Sequence, residues 1–258
     1  MPSESGRGPG AVALVGAGEY TPAMSDTDAY LIATLGGPGA ARVALLPTAS
    51  GREPGSPERW NAMGLRHFGE LGVADIRPTR IIDAASAAAP DQLALLRDAT
   101  FFYFSGGDPQ HVIATMRGSP AWEAITAAYA RGAVLAGCSA GAMALAGFTL
   151  SIRQVMGGAP PEWQPSLGIV PSVIVFPHFD RMSGFIGQQR FSAMLAAIPA
   201  GRVAVGVDED TALVRLTAGP ASDGAGPARW RVMGRQTVTV FPSGAEPRVL
   251  RAGEEVAI

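Results

Sequence analysis

Cysteine is nearly absent from this chain. The single Cys138 cannot close an internal disulfide, and no Cys/His cluster has the spacing of a structural zinc site, so no metal is expected and a reducing, cytoplasmic setting fits. Charge is also sparse. Only 16% of residues are Asp, Glu, Lys or Arg, the formal net charge is −2, and no basic run interleaved with aromatics appears, which argues against a nucleic-acid partner. The first ten residues, MPSESGRGPG, lack the basic and apolar regions of a secretory leader and read as a flexible tail over 1–10. The one long uncharged segment, 133–150, is interrupted by Gly137, Gly141 and Gly147 beside Cys138 and Ser139. It is expected to be a buried strand, a tight turn and a buried helix rather than a membrane span. Histidine is scarce too, with three residues to supply any base: His67, His111 and His178.

What is present is apolar. At 47% hydrophobic over 258 residues, the chain can bury a full core, and residues 11–258 are read as one domain. Short runs rich in Val, Leu, Ile and Phe alternate with amphipathic stretches, the pattern of βα units around a mostly parallel central sheet flanked by helices. Strands are expected over 11–15, 42–46, 100–104, 133–137 and 173–176, with a further extended segment in 75–82. Helices are expected over 26–35, 58–71, 91–97, 121–131, 140–146 and 185–198. Beyond Arg202 the texture changes to short segments, 203–207, 212–216, 230–233, 237–241 and 248–251, which read as antiparallel strands, with 217–227 as a surface loop.

The densest chemistry lies at Gly137-Cys138-Ser139-Ala140-Gly141, where an apolar strand meets helix-forming residues. A nucleophile on such a strand-to-helix turn projects its side chain from a strained backbone, and small neighbours are needed because backbones approach closely. This register selects Ser139 as nucleophile and puts the Ala140 amide at a helix start, where it can stabilise an oxyanion. Centring the turn on the more reactive Cys138 instead places Ala136 and Ala140 where the flanking glycines belong. His178 follows a β-branched strand, and the carboxyl edge of a parallel sheet is where catalytic groups gather, so it is the expected base. The third group, which orients the imidazole, is Glu209 or Asp180, with Glu209 preferred because it ends the next strand. Gly106 and Gly107, with Asp108, follow the 100–104 strand and offer bare backbone to an oxyanion or a substrate carboxylate. Gly16-Ala17-Gly18-Glu19 looks like part of a dinucleotide fingerprint, but Thr21 stands at its sixth position, so no cofactor is expected.

Pro47-Thr48-Ala49-Ser50, Ser105-Gly106-Gly107-Asp108, the Ser139 turn, Pro177-His178-Phe179 and Gly206-Val207-Asp208-Glu209-Asp210-Thr211-Ala212 together resemble the cyanophycinase and aspartyl dipeptidase family of serine peptidases. The resemblance implies a class I glutamine amidotransferase-like fold and a Ser-His-Glu arrangement on Ser139, His178 and Glu209. The substrate implied is a small peptide or related amide, cleaved through an acyl-enzyme with Gly107 and Ala140 as oxyanion donors. Two departures bear on substrate: where cyanophycinases resemble G-G-D-Q and D-Q-H-F, this chain has Pro109 and Pro177. Arg181 and Arg190 are the only arginines between His178 and Pro199, and either is a candidate for a substrate carboxylate. The rivals are an amidotransferase-like enzyme using Cys138 and a catalytically silent binding protein. Homo-oligomerisation is left open.

Overall fold

In the computed structural model, which describes residues 8–216, 228–242 and 245–258, strands and helices alternate through most of the chain. The first half runs β1 (Val12–Val15), α1 (Ser25–Thr34), β2 (Arg42–Leu46), α2 (Ser56–Glu70), β3 (Asp75–Pro78), α3 (Pro90–Leu96), β4 (Phe101–Phe104), α4 (Pro109–Met116), α5 (Pro120–Ala130) and β5 (Val134–Cys138). The second half begins with α6 (Ala140–Leu145), β6 (Ala146–Thr149), α7 (Ile152–Met156), β7 (Gln164–Pro165) and β8 (Val170–Phe176). It continues with α8 (Phe179–Ile186), α9 (Gln188–Ala196), β9 (Val203–Val207), β10 (Thr211–Arg215), β11 (Arg229–Gly234), β12 (Thr237–Phe241), β13 (Arg248–Arg251) and β14 (Glu255–Ala257).

The main sheet has the order β14-β11-β10-β1-β5-β4-β2-β3. Strands β1 to β5 pair in parallel, and β10, β11 and β14 extend the sheet in antiparallel fashion from β1. Helices cover both faces, which is why β1 and β4 are uninterrupted apolar runs buried at every position. Their alternation divides the core. Val12, Leu14, Phe102 and Phe104 join Met116 and Ile125 on one face, while Ala13, Val15, Phe101 and Tyr103 join Leu31 and Phe68 on the other. Each large side chain buried this way contributes about 1.5–3 kcal/mol. Proline opens α3, α4 and α5, where its missing N–H costs nothing, and Asp108 and Ser119 cap α4 and α5.

The expected α/β architecture with a mostly parallel central sheet is observed, but the later strands divide between two sheets. A second sheet runs β13-β12-β9-β8-β6-β7. Residues 203–207, expected to be antiparallel, pair in parallel with β8 and antiparallel only with β12, because β9 is reached from β8 by a helical crossover. The helix expected over 185–198 is two helices broken at Gly187, and both close on one apolar cluster: Met182 and Ile186 from α8, Phe191 and Met194 from α9, around Phe176. The 133–150 segment is a buried strand, turn and helix as expected, followed by β6. No helix among the described residues is long and apolar enough to cross a membrane. Gly10, placed in the expected tail, is buried and donates its N–H to Tyr129 O, so the packed body includes it. The loop expected over 217–227 and the first seven residues of the tail lie outside the described residues.

Candidate active site

The carboxyl ends of β1, β4, β5, β8 and β9 converge, and the chemistry sits there. β5 runs directly into Ser139, whose φ of 51° and ψ of −111° are strained for an L-residue, at a cost of about 1–3 kcal/mol. The turn is held by the Ser139 N–H donating to Val15 O at 2.9 Å and by α6 starting at the next residue. A Cβ on Gly137 would lie 2.5 Å from the Gly141 carbonyl carbon, which explains the small residues of this turn. Cys138 points the other way. It is fully buried, and its thiol donates to Glu19 Oε2 at 2.9 Å. Burial, then the Glu19 carboxylate, pushes that thiol well above the ordinary cysteine range, so Cys138 is neither exposed nor ionised as a nucleophile must be.

His178 lies two residues past the end of β8, itself at a positive φ of 50°. Its Nε2 is 3.0 Å from Ser139 Oγ, and its Nδ1 is 2.8 Å from Glu209 Oε1. With Nδ1–H donating to the carboxylate, Nε2 is left as acceptor for the serine hydroxyl. Glu209 sits between β9 and β10, bridged in parallel to Ala17 beyond β1. Asp180 is one step behind: its Oδ1 accepts the Glu209 N–H at 2.9 Å and does not meet the imidazole. The other two histidines are occupied elsewhere in the core. His67 Nε2 is 2.8 Å from Asp28 Oδ2, and His111 Nε2 is 2.7 Å from Ile82 O.

Ser139 and His178 open on a cavity of about 590 Å³ whose wall also includes Gly107, Asp108, Pro109 and Pro177 together with the apolar side chains of Met143, Met182 and Phe185. The Gly107 and Ala140 N–H groups have no backbone acceptor among the described residues, as oxyanion donors require. Gly107 takes φ 144°, and a Cβ there would lie 2.4 Å from Ala49 O, so the Pro47-Thr48-Ala49-Ser50 segment sets the height of this loop.

The expected substrate-binding residues fare unevenly. Asp108 lines the cavity, but its Oδ1 accepts the Gln110 and His111 N–H groups as the cap of α4. Gly106 is buried, whereas Gly107 is exposed, and the Gly106 N–H donates to Glu19 Oε1 at 2.8 Å, so it is committed to the protein and not to a ligand. Arg181 is drawn away from the cavity to Glu209 Oε2, 2.8 Å from Nη2. Arg190 is exposed near the start of α9, donates to Ile186 O as its one hydrogen-bond partner among the described residues, and does not line the cavity. The arginines that do line it are Arg52 and Arg153. Arg153 belongs to a five-residue helix too short for a periodic signal, and Glu19 was legible only as the end of an apparent nucleotide motif. Among the described residues, no group of three or more His, Cys, Asp or Glu could hold a metal ion.

Residues 12–217 match the profile of peptidase family S51. The chain is 29% identical over 207 residues to a cyanophycinase from Synechococcus elongatus, an alignment covering 77% of this chain but 58% of that protein, so it spans under two thirds of the length of this relative. Among solved structures, a peptidase from an acI-B1 Actinobacterium superposes with a TM-score of 0.83 at 30% identity, covering 98% of each chain. A protein assigned as a peptidase E from Listeria monocytogenes EGD-e superposes with a TM-score of 0.57 at 15% identity, covering 95% of this chain and 100% of that one, a likeness of fold alone. The fold is thus the class I glutamine amidotransferase-like one anticipated from the motifs.

Proposed function

The chain belongs to peptidase family S51, and from that membership we propose that it cleaves short peptides or related amides with Ser139 as nucleophile, His178 as base and Glu209 as the group that orients the base. The observation that carries the reading is the continuous chain from Ser139 Oγ to His178 Nε2 at 3.0 Å and from His178 Nδ1 to Glu209 Oε1 at 2.8 Å. His178 takes the hydroxyl proton as Ser139 Oγ attacks the scissile carbonyl, and the Gly107 and Ala140 N–H groups receive the oxyanion. The imidazolium, stabilised by Glu209, gives its proton to the leaving amine. Water then attacks the acyl-enzyme by the same route, returning the serine.

The cavity wall argues for a substrate other than a long β-linked Asp-Arg polymer. Pro109 and Pro177 line it without a side-chain donor or a backbone N–H, and Arg181 is engaged with Glu209. A site built to hydrogen-bond a substrate loses strongly when those partners are missing. The test is hydrolysis of purified cyanophycin beside short acidic and apolar peptides in α- and β-linked forms. Turnover is expected on short peptides, with little release of β-Asp-Arg from the polymer. Efficient degradation of cyanophycin overturns the substrate assignment, and no turnover of any amide by folded protein supports the catalytically silent alternative.

A further inference from the structure

Glu19 is a buried carboxylate with no cation within salt-bridge distance among the described residues, an expensive group to keep in a protein interior. Its two oxygens are both engaged at the proposed catalytic centre. Oε1 accepts the Gly106 N–H at 2.8 Å, and Oε2 accepts the Cys138 thiol at 2.9 Å. Cys138 immediately precedes the nucleophile, and Gly106 immediately precedes the oxyanion donor Gly107. We propose that Glu19 is a positioning residue, a clamp that fixes the distance between the Gly107 N–H and Ser139 Oγ, an inference that rests on Ser139 being the nucleophile.

The clamp is tight. A Cβ placed on Gly106 would lie 3.0 Å from Glu19 Oε1 and 3.5 Å from Ser139 Cβ, so carboxylate, glycine loop and nucleophile are packed against one another. The segment carrying Glu19 is itself anchored on the residues flanking Glu209: the Gly16 N–H donates to Thr211 O, and the Asp210 N–H donates to Ala17 O. Tyr20 then turns at a φ of 62° and packs on Tyr103 of β4, their ring centroids 4.8 Å apart. One four-residue turn after β1 therefore touches the supports of the nucleophile, the oxyanion loop and the orienting acid. This gives Gly16-Ala17-Gly18-Glu19 a purpose other than nucleotide binding. Misplacement by about 1 Å in such a centre costs about 10²-fold in rate, so a side chain that sets this spacing has kinetic leverage without touching substrate.

Reach and charge separate in two variants of the full-length protein. Glu19→Asp keeps the charge but is one methylene too short to hold both Gly106 and Cys138. Glu19→Gln keeps the length and an oxygen for the Gly106 N–H. The readouts are the second-order rate of labelling at Ser139 by a fluorophosphonate, kcat and KM on a cleaved peptide, and the affinity of the peptide product. Glu19→Asp is expected to slow labelling and lower kcat by about 10- to 100-fold with KM and product affinity within about threefold. Glu19→Gln is expected to stay within about threefold of wild type in all of them. Equal losses in the two variants, labelling of Glu19→Asp at the wild-type rate, or a parallel fall in product affinity overturns the clamp. If wild-type protein is not labelled at Ser139, the serine assignment fails and the clamp falls with it; labelled wild type with an unaffected Glu19→Asp rejects the clamp alone.

Discussion

Replacing Glu209 by Gln tests the orienting role, and the structure fixes which way the new amide turns. Glu209 accepts two donors, His178 Nδ1–H on Oε1 and Arg181 Nη2 on Oε2, each at 2.8 Å. Glutamine has one oxygen for these two claims. Arg181 carries only donors, whereas the imidazole can change tautomer, so the oxygen turns to Arg181 and the amide N–H₂ turns to Nδ1. The proton then sits on Nε2, facing Ser139, and the histidine can no longer act as base. Wrong tautomer together with loss of the stabilising charge costs about 10³–10⁴ in kcat, or about 4–5.5 kcal/mol. Arg181 is largely exposed, and its preference for the amide oxygen is worth about 1 kcal/mol. Adding Arg181→Ala to Glu209→Gln therefore recovers about five- to tenfold. Asp180→Asn, which keeps an acceptor for the Glu209 N–H, changes kcat by less than about tenfold. The assay is steady-state hydrolysis of a peptide cleaved by wild type, with fluorophosphonate labelling as a second readout. Glu209→Gln within tenfold of wild type refutes the orienting role, and a double variant no faster than the single one refutes the part given to Arg181.

Other perturbations follow from the same contacts. Native Cys138 resists iodoacetamide at pH 8 and reacts after unfolding in urea, because burial and Glu19 hold the thiol protonated where ordinary thiols ionise; rapid native alkylation contradicts this. Gly107→Ala brings a Cβ to 2.4 Å from Ala49 O, so kcat is expected to fall by about 10² or more as the loop shifts, and unchanged turnover argues against Gly107 as oxyanion donor. Asp28 is buried against His67, and burial raises its carboxyl above the ordinary value despite the opposing hydrogen bond and charge of His67. Its contribution is thus most favourable at low pH and is lost as pH rises through its folded titration range. Asp28→Asn is expected to flatten that part of a urea-denaturation pH profile and cost within about 1 kcal/mol at neutral pH, against about 2–3 kcal/mol for Asp28→Ala, which leaves His67 without a partner.

Most elements were legible because the inner strands of the parallel sheet, β1, β2, β4 and β5, are buried on both faces and therefore read as short apolar runs, whereas the edge strand β3, half-buried throughout, was legible only as an extended segment within 75–82. The Ser139 turn was legible for a related reason: its local backbone demands small residues on both sides of the nucleophile. Partnership between sheets was not legible. The run 203–207 has the same β-branched texture whether it pairs in parallel or antiparallel, and its pairing with β8 depends on where α8 and α9 return the chain. The helix break at Gly187 was hidden because the apolar positions of 185–198 satisfy one amphipathic face as readily as two. At the site, residue chemistry named Ser139, His178 and Glu209 as candidates from strand ends alone. Side-chain commitments escaped it: Arg181 was available on paper for a substrate carboxylate but is claimed by Glu209, and Glu19 lies 87 residues before Gly106 and 119 before Cys138 in sequence, brought to them only by the adjacency of β1, β5 and β4.

The most direct measurement of the central claim is covalent labelling of the native protein with a fluorophosphonate, followed by intact mass and peptide mapping. One phosphonyl adduct on Ser139 is expected, formed rapidly in wild type, still placed on Ser139 in Cys138→Ala, and slowed by about 10³-fold or more in His178→Ala, because without the base the hydroxyl is an ordinary serine. A folded wild-type protein that hydrolyses peptides yet carries no adduct on Ser139, or whose labelling is unchanged in His178→Ala, contradicts the assignment.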